Sequence, residues 1–211
     1  STVMKSAQAI SSELALKGLI AKVMHAILEN SGAQNSALIL NSPQGPMVEA
    51  NVKALSAGQN EGDFDLQSRS LNSSSELPIS LINYVLRSNT EQVLQDDTHS
   101  IISSANTAFI EDPYLQTHQP KSILCIPVNY REKLLGALYL ENTLSYMAFP
   151  QERFDIIKML LAQAAISFEN ARLFNEVSEL NVNLEEKVQQ RTQELNQSNQ
   201  ELDQSNQELN K

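Results

Sequence analysis

The amino-acid sequence predicts an α+β fold: an antiparallel sheet of about six strands flanked by helices, followed by a long C-terminal helix. Three observations predict this class. Apolar residues recur at three- and four-residue steps near both ends of the chain, which is typical of helices. Six short apolar or alternating segments between them indicate strands. A seven-residue repeat, 196–202 followed by 203–209, ends the chain and indicates a helix that pairs with another.

Local signals place each element in order. The first helix is predicted over 3–30 and is ended by Gly32. A Pro-Gln-Gly-Pro turn then joins two strands of a hairpin, and Pro78 begins a second helix that ends near Asn89. Residues 95–120 form a long connection with a helical turn around 105–111. Strands are predicted at 36–41, 47–52, 63–71, 92–94, 122–129 and 134–141, and a last helix runs from Pro150 to the repeat. The terminal helices are expected on one face of the sheet and residues 77–120 on the other.

Composition limits the classes of function. The chain has 211 residues, 41% of them apolar, and a formal net charge of −10, which disfavours binding to nucleic-acid phosphates. No apolar run approaches the roughly 18 residues of a membrane span, so we expect no membrane partner and a cytoplasmic location. The one cysteine, Cys125, excludes an internal disulfide framework. No phosphate loop, nucleophile elbow or metallohydrolase motif occurs, so these residues predict no enzyme.

The last helix carries a line of apolar residues spaced for a coiled coil. Their steps alternate four and three, except for two adjacent steps of four around Leu184, a stutter that locally unwinds a supercoil. Arg191, Ser198 and Ser205 make the seam polar, so the pairing should be weak, and an inert spacer stays open as the alternative. The predicted seam contains Leu173, Val177, Leu180, Leu184, Val188, Leu195, Leu202 and Leu209. We therefore divide the chain into a globular domain, 1–172, and a coiled-coil signalling helix, 173–211.

Five segments of the chain match those of a known family of domains. They are 4–13 (MKSAQAISSE), Asp112-Pro113-Tyr114, 121–127 (KSILCIP), 135–142 (LGALYLEN) and 163–174 (QAAISFENARLF). With this order of elements they resemble a GAF domain, a sensor module, and in particular the GAF domains of cyanobacterial-type multi-sensor kinases. The tail, 188–195 (VQQRTQEL), resembles connectors that precede histidine-kinase or diguanylate-cyclase domains. The resemblance implies an antiparallel sheet with a ligand pocket between the sheet and the loop-rich face.

The candidate pocket residues on this face are aromatic and aliphatic. The alternative is that all of them simply pack as core. Asp112-Pro113 is interpreted as a turn or a helix cap. The candidate lining residues are Leu81, Tyr84, Phe109, Tyr114, Leu124 and Tyr139.

No cofactor is evident from the sequence, and an unidentified small molecule stays open as a ligand. Bilin-attaching GAF domains resemble one another in a Cys-His pair within the region 95–120; here that region has His99 and His118 but no cysteine, so bilin is disfavoured. Both histidines stand alone among polar neighbours, which disfavours haem and metal. Cys125 lies in an apolar strand and is interpreted as a small core residue. The cyclic-GMP signature of the family is missing.

The resulting hypothesis is a cytoplasmic sensor module that forms a homodimer. It would relay the state of a ligand or partner through the coiled coil to an output domain of the same polypeptide, such as the kinase domain of a two-component histidine kinase with its phosphorelay. The alternative is a ligand-free scaffold that only dimerises within a multidomain kinase or diguanylate cyclase.

Overall fold

The computed structural model describes residues 2–53, 63–95, 109 and 111–209; at 2–14, 63, 203 and 205–209 it describes the backbone only. Two long helices begin and end the described chain, α1 (Thr2–Ser31) and α4 (Gln151–Leu209). The described residues between them include two short α-helices, α2 (Ile79–Ser88) and α3 (Pro113–His118), and one 3-10 turn, Leu71–Ser73. The strands are β1 (Asn35–Ser42), β2 (Gly45–Lys53), β3 (Asp63–Asp65), β4 (Arg69–Ser70), β5 (Gln92–Gln95), β6 (Ser122–Tyr130) and β7 (Lys133–Asn142).

The strands of the described residues join one antiparallel sheet in the order β3-β2-β1-β7-β6-β5, with β4 also paired to β2. The predicted α+β fold, with an antiparallel sheet of about six strands and a long last helix, is therefore confirmed, and the described residues form seven strands. A Cβ atom on Gly136 of β7 would stand 1.9 Å from the carbonyl oxygen of Ile39 in β1. Only glycine permits this close approach of the two central strands.

The helix ends follow the local signals of the sequence. Gly32 has φ +66°, the left-handed conformation that commonly follows a helix, and α1 ends at the residue before it. Asp112 is the N-cap of α3, with Pro113 in the first turn of that helix. The prediction that Asp112-Pro113 is a cap is confirmed.

The sheet carries a hydrophobic cluster on each face. One cluster packs strand side chains against α1 and the first part of α4, through residues such as Met24, Ile157 and Phe168. The other packs the opposite strand side chains under α2 and α3, through residues such as Leu81 and Leu115. The expectation that the terminal helices lie on one face and residues 77–120 on the other is confirmed for the described residues of 14–169.

Two local predictions were wrong in detail. The single strand expected at 63–71 is two short strands, β3 and β4, which pair with different parts of β2. The short helix α3 lies in a region that was interpreted as a loop with a turn around 105–111; of that turn, residues 105–108 and 110 lie outside the described residues. Residues 14–169 form one compact unit, and the N-terminal end of α1 and the C-terminal part of α4 belong to a second.

Candidate functional site

Five of the six candidate pocket residues lie on the face of the sheet covered by α2 and α3. Leu81, Phe109, Tyr114 and Tyr139 are buried in one cluster, and Tyr84 packs its ring edge-on to Phe109, with 5.2 Å between ring centroids. The structure therefore brings these five residues together on one face of the sheet, and their role as the lining of a ligand pocket stays a prediction.

Leu124 does not join this group. Successive side chains of a strand point to opposite faces of a sheet. On β6, Ile123 and Cys125 face the α2 side, whereas Leu124 and Ile126 face α1 and α4. Leu124 therefore lies on the other side of the sheet from the predicted pocket, and its assignment to the lining is corrected.

A buried carboxylate that the sequence analysis missed lies at one end of the covered face. Glu141 of β7 is fully buried and accepts hydrogen bonds from the hydroxyl of Tyr114, at 2.8 and 3.0 Å, and from that of Tyr139, at 2.6 Å. The Asn35 amide also donates to it. Burial and the Glu141 charge raise the pKa of both phenols, so both remain protonated donors at neutral pH. Three donors from three elements thus converge on one carboxylate.

A second buried acid joins the two short helices. Asp112 accepts from the backbone N–H groups of Tyr114 and Leu115 at the start of α3. It also accepts from the backbone N–H of Ser80, at 3.0 Å, and from the Ser80 hydroxyl, at 2.5 Å, near the start of α2. Because one carboxylate serves both helix starts, Asp112 holds α3 to α2, while Tyr114 holds α3 to the sheet through Glu141.

A cleft of about 200 Å³ lies beside this cluster, at the edge of the covered face. Its walls come from β1, β2, the segment before α2, and α3. The His118 ring stacks on Tyr114 with 4.1 Å between ring centroids. The lining residues are Asn35, Asn51, Lys53, Glu76, Leu77, Tyr114 and His118.

The other candidate ligands for cofactors or metals are Cys125, His118 and His99. Cys125 is fully buried, and burial raises the pKa of its thiol. His118 lies in the cleft wall, and His99 lies outside the described residues. Within the described part of the chain no group of three or more His, Cys, Asp or Glu side chains could hold a metal ion.

The predicted coiled-coil residues lie on one unbroken helix, α4. Leu173, Val177, Leu180, Leu184, Val188, Leu195 and Leu202 are each between 43% and 63% exposed in the single chain, and the side chain of Leu209 lies outside the described residues. An exposed apolar row of this length is typical of a surface that binds a partner. The helix itself is shown; its pairing stays a prediction.

The exposed row begins earlier than the sequence analysis placed it. Ile156, Met159 and Ile166 are 45%, 73% and 41% exposed, although α4 buries its opposite side against the sheet. With Gln163 and Asn170 they continue the alternating steps of three and four without a break back from Leu173. The signal that could have found them was the same spacing, which the apolar core residues of α4 obscure.

A family comparison agrees with the fold and with its extent. The GAF domain family matches residues 15–168, nearly the same residues that form the compact unit around the sheet. The chain belongs to the GAF domain family. The sheet with its two covering helix layers is therefore a GAF domain, and α4 begins within it.

Curated relatives of this GAF domain are histidine kinases. It is 42% identical over 102 residues to hybrid signal transduction histidine kinase G of Dictyostelium discoideum, a match covering 48% of this chain and 3% of that protein. It is 26% identical over 183 residues to peroxide stress-activated histidine kinase mak3 of Schizosaccharomyces pombe, covering 86% of this chain and 7% of that one. The chain spans less than a tenth of the length of these relatives.

Solved GAF domains share the fold at low sequence identity. GAF3 from Slr1393 of Synechocystis, in its photoproduct state, superposes with a TM-score of 0.53 at 10% identity, over 77% of this chain and 98% of that one. Residues 122 to 287 of a methyl-accepting chemotaxis protein give a TM-score of 0.50 at 15% identity, over 74% and 89%. In the described residues no helix is both long and apolar enough to cross a membrane.

Proposed function

We propose that this GAF domain is the sensory module of a cytoplasmic two-component histidine kinase. It pairs with a second copy through α4 and passes the state of a ligand or partner along the paired helices to a kinase domain. The observation that carries the proposal is the exposed apolar row from Ile156 to Leu202, which follows coiled-coil spacing along the outside of α4.

Pairing would stabilise the row unevenly along its length. Each apolar side chain that is fully buried contributes about 1.5–3 kcal/mol, and beyond Leu184 such residues alternate with Arg191 and Ser198, which contribute little. The two adjacent steps of four at Leu184 unwind the supercoil locally. The weakly paired part beyond Leu184 changes register at small cost, which suits a relay between two states.

Charges beside the row favour parallel helices. From Leu173 onward, the heptad positions on one side of the row are mostly glutamates, and those on the other side are mostly asparagines or threonine. An antiparallel pair would set glutamates of the two chains against each other. A parallel pair instead sets Glu176, Glu194 and Glu201 of one chain beside Asn181, Asn199 and Asn206 of the other. The remaining flanking residues are Asn183, Lys187 and Glu208 on the first side and Phe174 and Thr192 on the second.

The kinase output rests on the relatives. The matched proteins are named as histidine kinases, and their GAF-like segments are small parts of long chains. We propose the same setting for this domain. Two relatives are named as activated by peroxide stress, but Cys125 is buried and its thiol pKa is raised, so this domain would not sense peroxide through that thiol.

A second candidate is a ligand-free scaffold. It is favoured by the burial of Leu81, Phe109 and Tyr139 within the hydrophobic cluster of the covered face. In this version the domain dimerises and only sets the distance between the neighbouring domains of the same polypeptide. Both versions need the same dimer, so the dimer is tested first.

Two neighbouring residues provide a matched test. Val188→Asp puts a charge inside the apolar row, whereas Gln189→Asp puts the same charge on the outside of the same helical turn. We expect Val188→Asp to weaken the dimer at least about tenfold, because a buried unpaired charge costs several kcal/mol. Gln189→Asp should leave the dimer nearly unchanged. Sedimentation equilibrium measures both, and equal effects of the two variants would contradict the proposed interface.

A further inference from the structure

The cleft beside Glu141 has an unequal balance of charges. Lys53 Nζ lies 3.4 Å from one oxygen of Glu76, and Arg69 Nη2 lies 3.6 Å from the other. Arg69 also pairs with Asp65 at 2.7 Å. These two cations and two carboxylates cancel one another. The charge of the Glu141 carboxylate is therefore not balanced by these ion pairs, and among the described residues no lysine or arginine pairs with it.

Glu141 is connected directly to the walls of the cleft. Asn35 and Tyr114 both line the cleft, and both donate hydrogen bonds to the Glu141 carboxylate. A fully buried carboxylate without a cation destabilises the fold even when it is hydrogen-bonded. A cation in the cleft would be one hydrogen-bonded group away from it and would offset part of this cost.

Besides the Lys53 ammonium, the cleft walls carry several hydrogen-bond acceptors. Asn51 uses its Nδ2 group to donate to Glu76, at 3.2 Å, and Asn35 uses its own to donate to Glu141, which leaves an amide oxygen on each as an acceptor. His118 Nδ1 lies 3.1 Å from the carbonyl oxygen of Tyr114. Since a carbonyl oxygen only accepts, Nδ1 carries the hydrogen, and Nε2 of the neutral ring is a further acceptor.

The stacked Tyr114 and His118 rings add an aromatic wall. A tyrosine ring attracts ammonium and guanidinium groups placed over its face, more strongly where water is excluded. The volume of about 200 Å³ equals the space of about six or seven water molecules at ~30 Å³ each, which suits a small metabolite.

We infer that this cleft binds a small organic cation carrying ammonium or guanidinium groups, with Glu76 and the Asn35, Asn51 and His118 acceptors around it and Glu141 as its buried counter-charge. This inference deepens the proposed sensory role and rests on it. Because Tyr114 belongs to α3 and Glu141 to β7, a cation bound there would act on the joint between the cover helix and a central strand of the sheet.

The test uses 1,4-diaminobutane as the probe cation. Its neutral analogue 1,4-butanediol, its anionic counterpart succinate, and sodium chloride at matched ionic strength serve as ligand controls. We expect only the diamine to raise the thermal midpoint of the full chain, by about 3 °C at saturating concentration, because a ligand that binds the folded state alone stabilises it by mass action. Equal shifts with sodium chloride or a larger shift with succinate would overturn the inference.

Variants of the cleft give effects of opposite sign. Titration calorimetry should show at least about tenfold weaker binding for Glu76→Gln and for Glu141→Gln, and tighter binding for Lys53→Gln, because that change removes the competing cation. Glu132→Gln, on the turn between β6 and β7, is the control and should bind as the unchanged chain does. Should Glu141→Gln fail to fold, Glu76→Gln and Lys53→Gln test the inference in its place. An unchanged affinity for the diamine in both of these variants would overturn the inference. Sedimentation of the same variants tests the dimer separately.

Discussion

At the scale of single residues, burial decides which chemistry the side chains can perform. Glu141 is an example: it lies within an apolar strand, yet its carboxylate is surrounded by donors from β1, α3 and its own strand. Cys125 shares the α2 side of β6 with Ile123, in an apolar cluster where burial keeps it as a neutral thiol. Polar donors thus surround the first side chain, whereas apolar neighbours surround the second.

Cys125 gives a prediction about reactivity. Its thiol should react with a disulfide reagent only after the protein unfolds, because the thiolate is the reactive form and burial raises the pKa that governs it. The raised pKa also predicts a pH dependence of the free energy of unfolding. The contribution of the buried thiol is fully present below the thiol pKa of the unfolded chain, about 8.5, and falls as the pH rises above that value. Timed thiol labelling with and without denaturant measures the reactivity. Rapid labelling of the folded protein at pH 7 would contradict the buried position.

Residue-level prediction from sequence succeeded where the cause was local. Gly32 and Asp112-Pro113 were interpreted correctly because helix ends depend on a few neighbouring residues. Glu141 was missed because its donors are distant in sequence, 27 residues away for Tyr114 and 106 for Asn35. Leu124 was assigned to the wrong face because the phase of β6 is set by its pairing with β5 and β7.

At the scale of elements, α3 shows how a very short helix is held. Six residues are too few to be stable as an isolated helix, so tertiary contacts must supply what helix propensity does not. Asp112 ties the start of α3 to α2, and Tyr114 ties its first turn to β7. The same shortness explains why periodicity did not predict α3 within the long connection interpreted as 95–120.

Removing the shared cap should loosen both helices. Asp112→Ala removes the acceptor of four hydrogen bonds at two helix starts, and we expect the free energy of unfolding to fall by about 2–3 kcal/mol. Asp155→Ala, which removes an exposed carboxylate on α4 that accepts from Gln151, is the control and should cost less than about 1 kcal/mol. Denaturant unfolding measures both. Equal losses would show that Asp112 does not join α2 to α3.

At the scale of the whole molecule, α4 has two roles along its length. Its first part is apolar on two sides, with Ile157, Leu161 and Phe168 packed on the sheet and Met159 and Ile166 facing solvent. Its later part has only the outer row. The sequence predicted one continuous helix and its seven-residue repeat, because both depend on spacing within a single element. The sequence did not reveal that the exposed apolar row starts on the globular domain, because the exposure of these side chains depends on which side of α4 the sheet covers.

The central claim is that two copies pair in parallel through this row, and cysteine cross-linking tests it most directly. In a Cys125→Ala background, Leu202→Cys places a thiol in the row, and Gln200→Cys places one on the outside of the same turn. A parallel pair brings the two thiols introduced by Leu202→Cys into disulfide range, so gentle oxidation should convert most of that chain to a covalent dimer and little of the Gln200→Cys chain. Monomer alone, or equal cross-linking of both variants, would contradict the account.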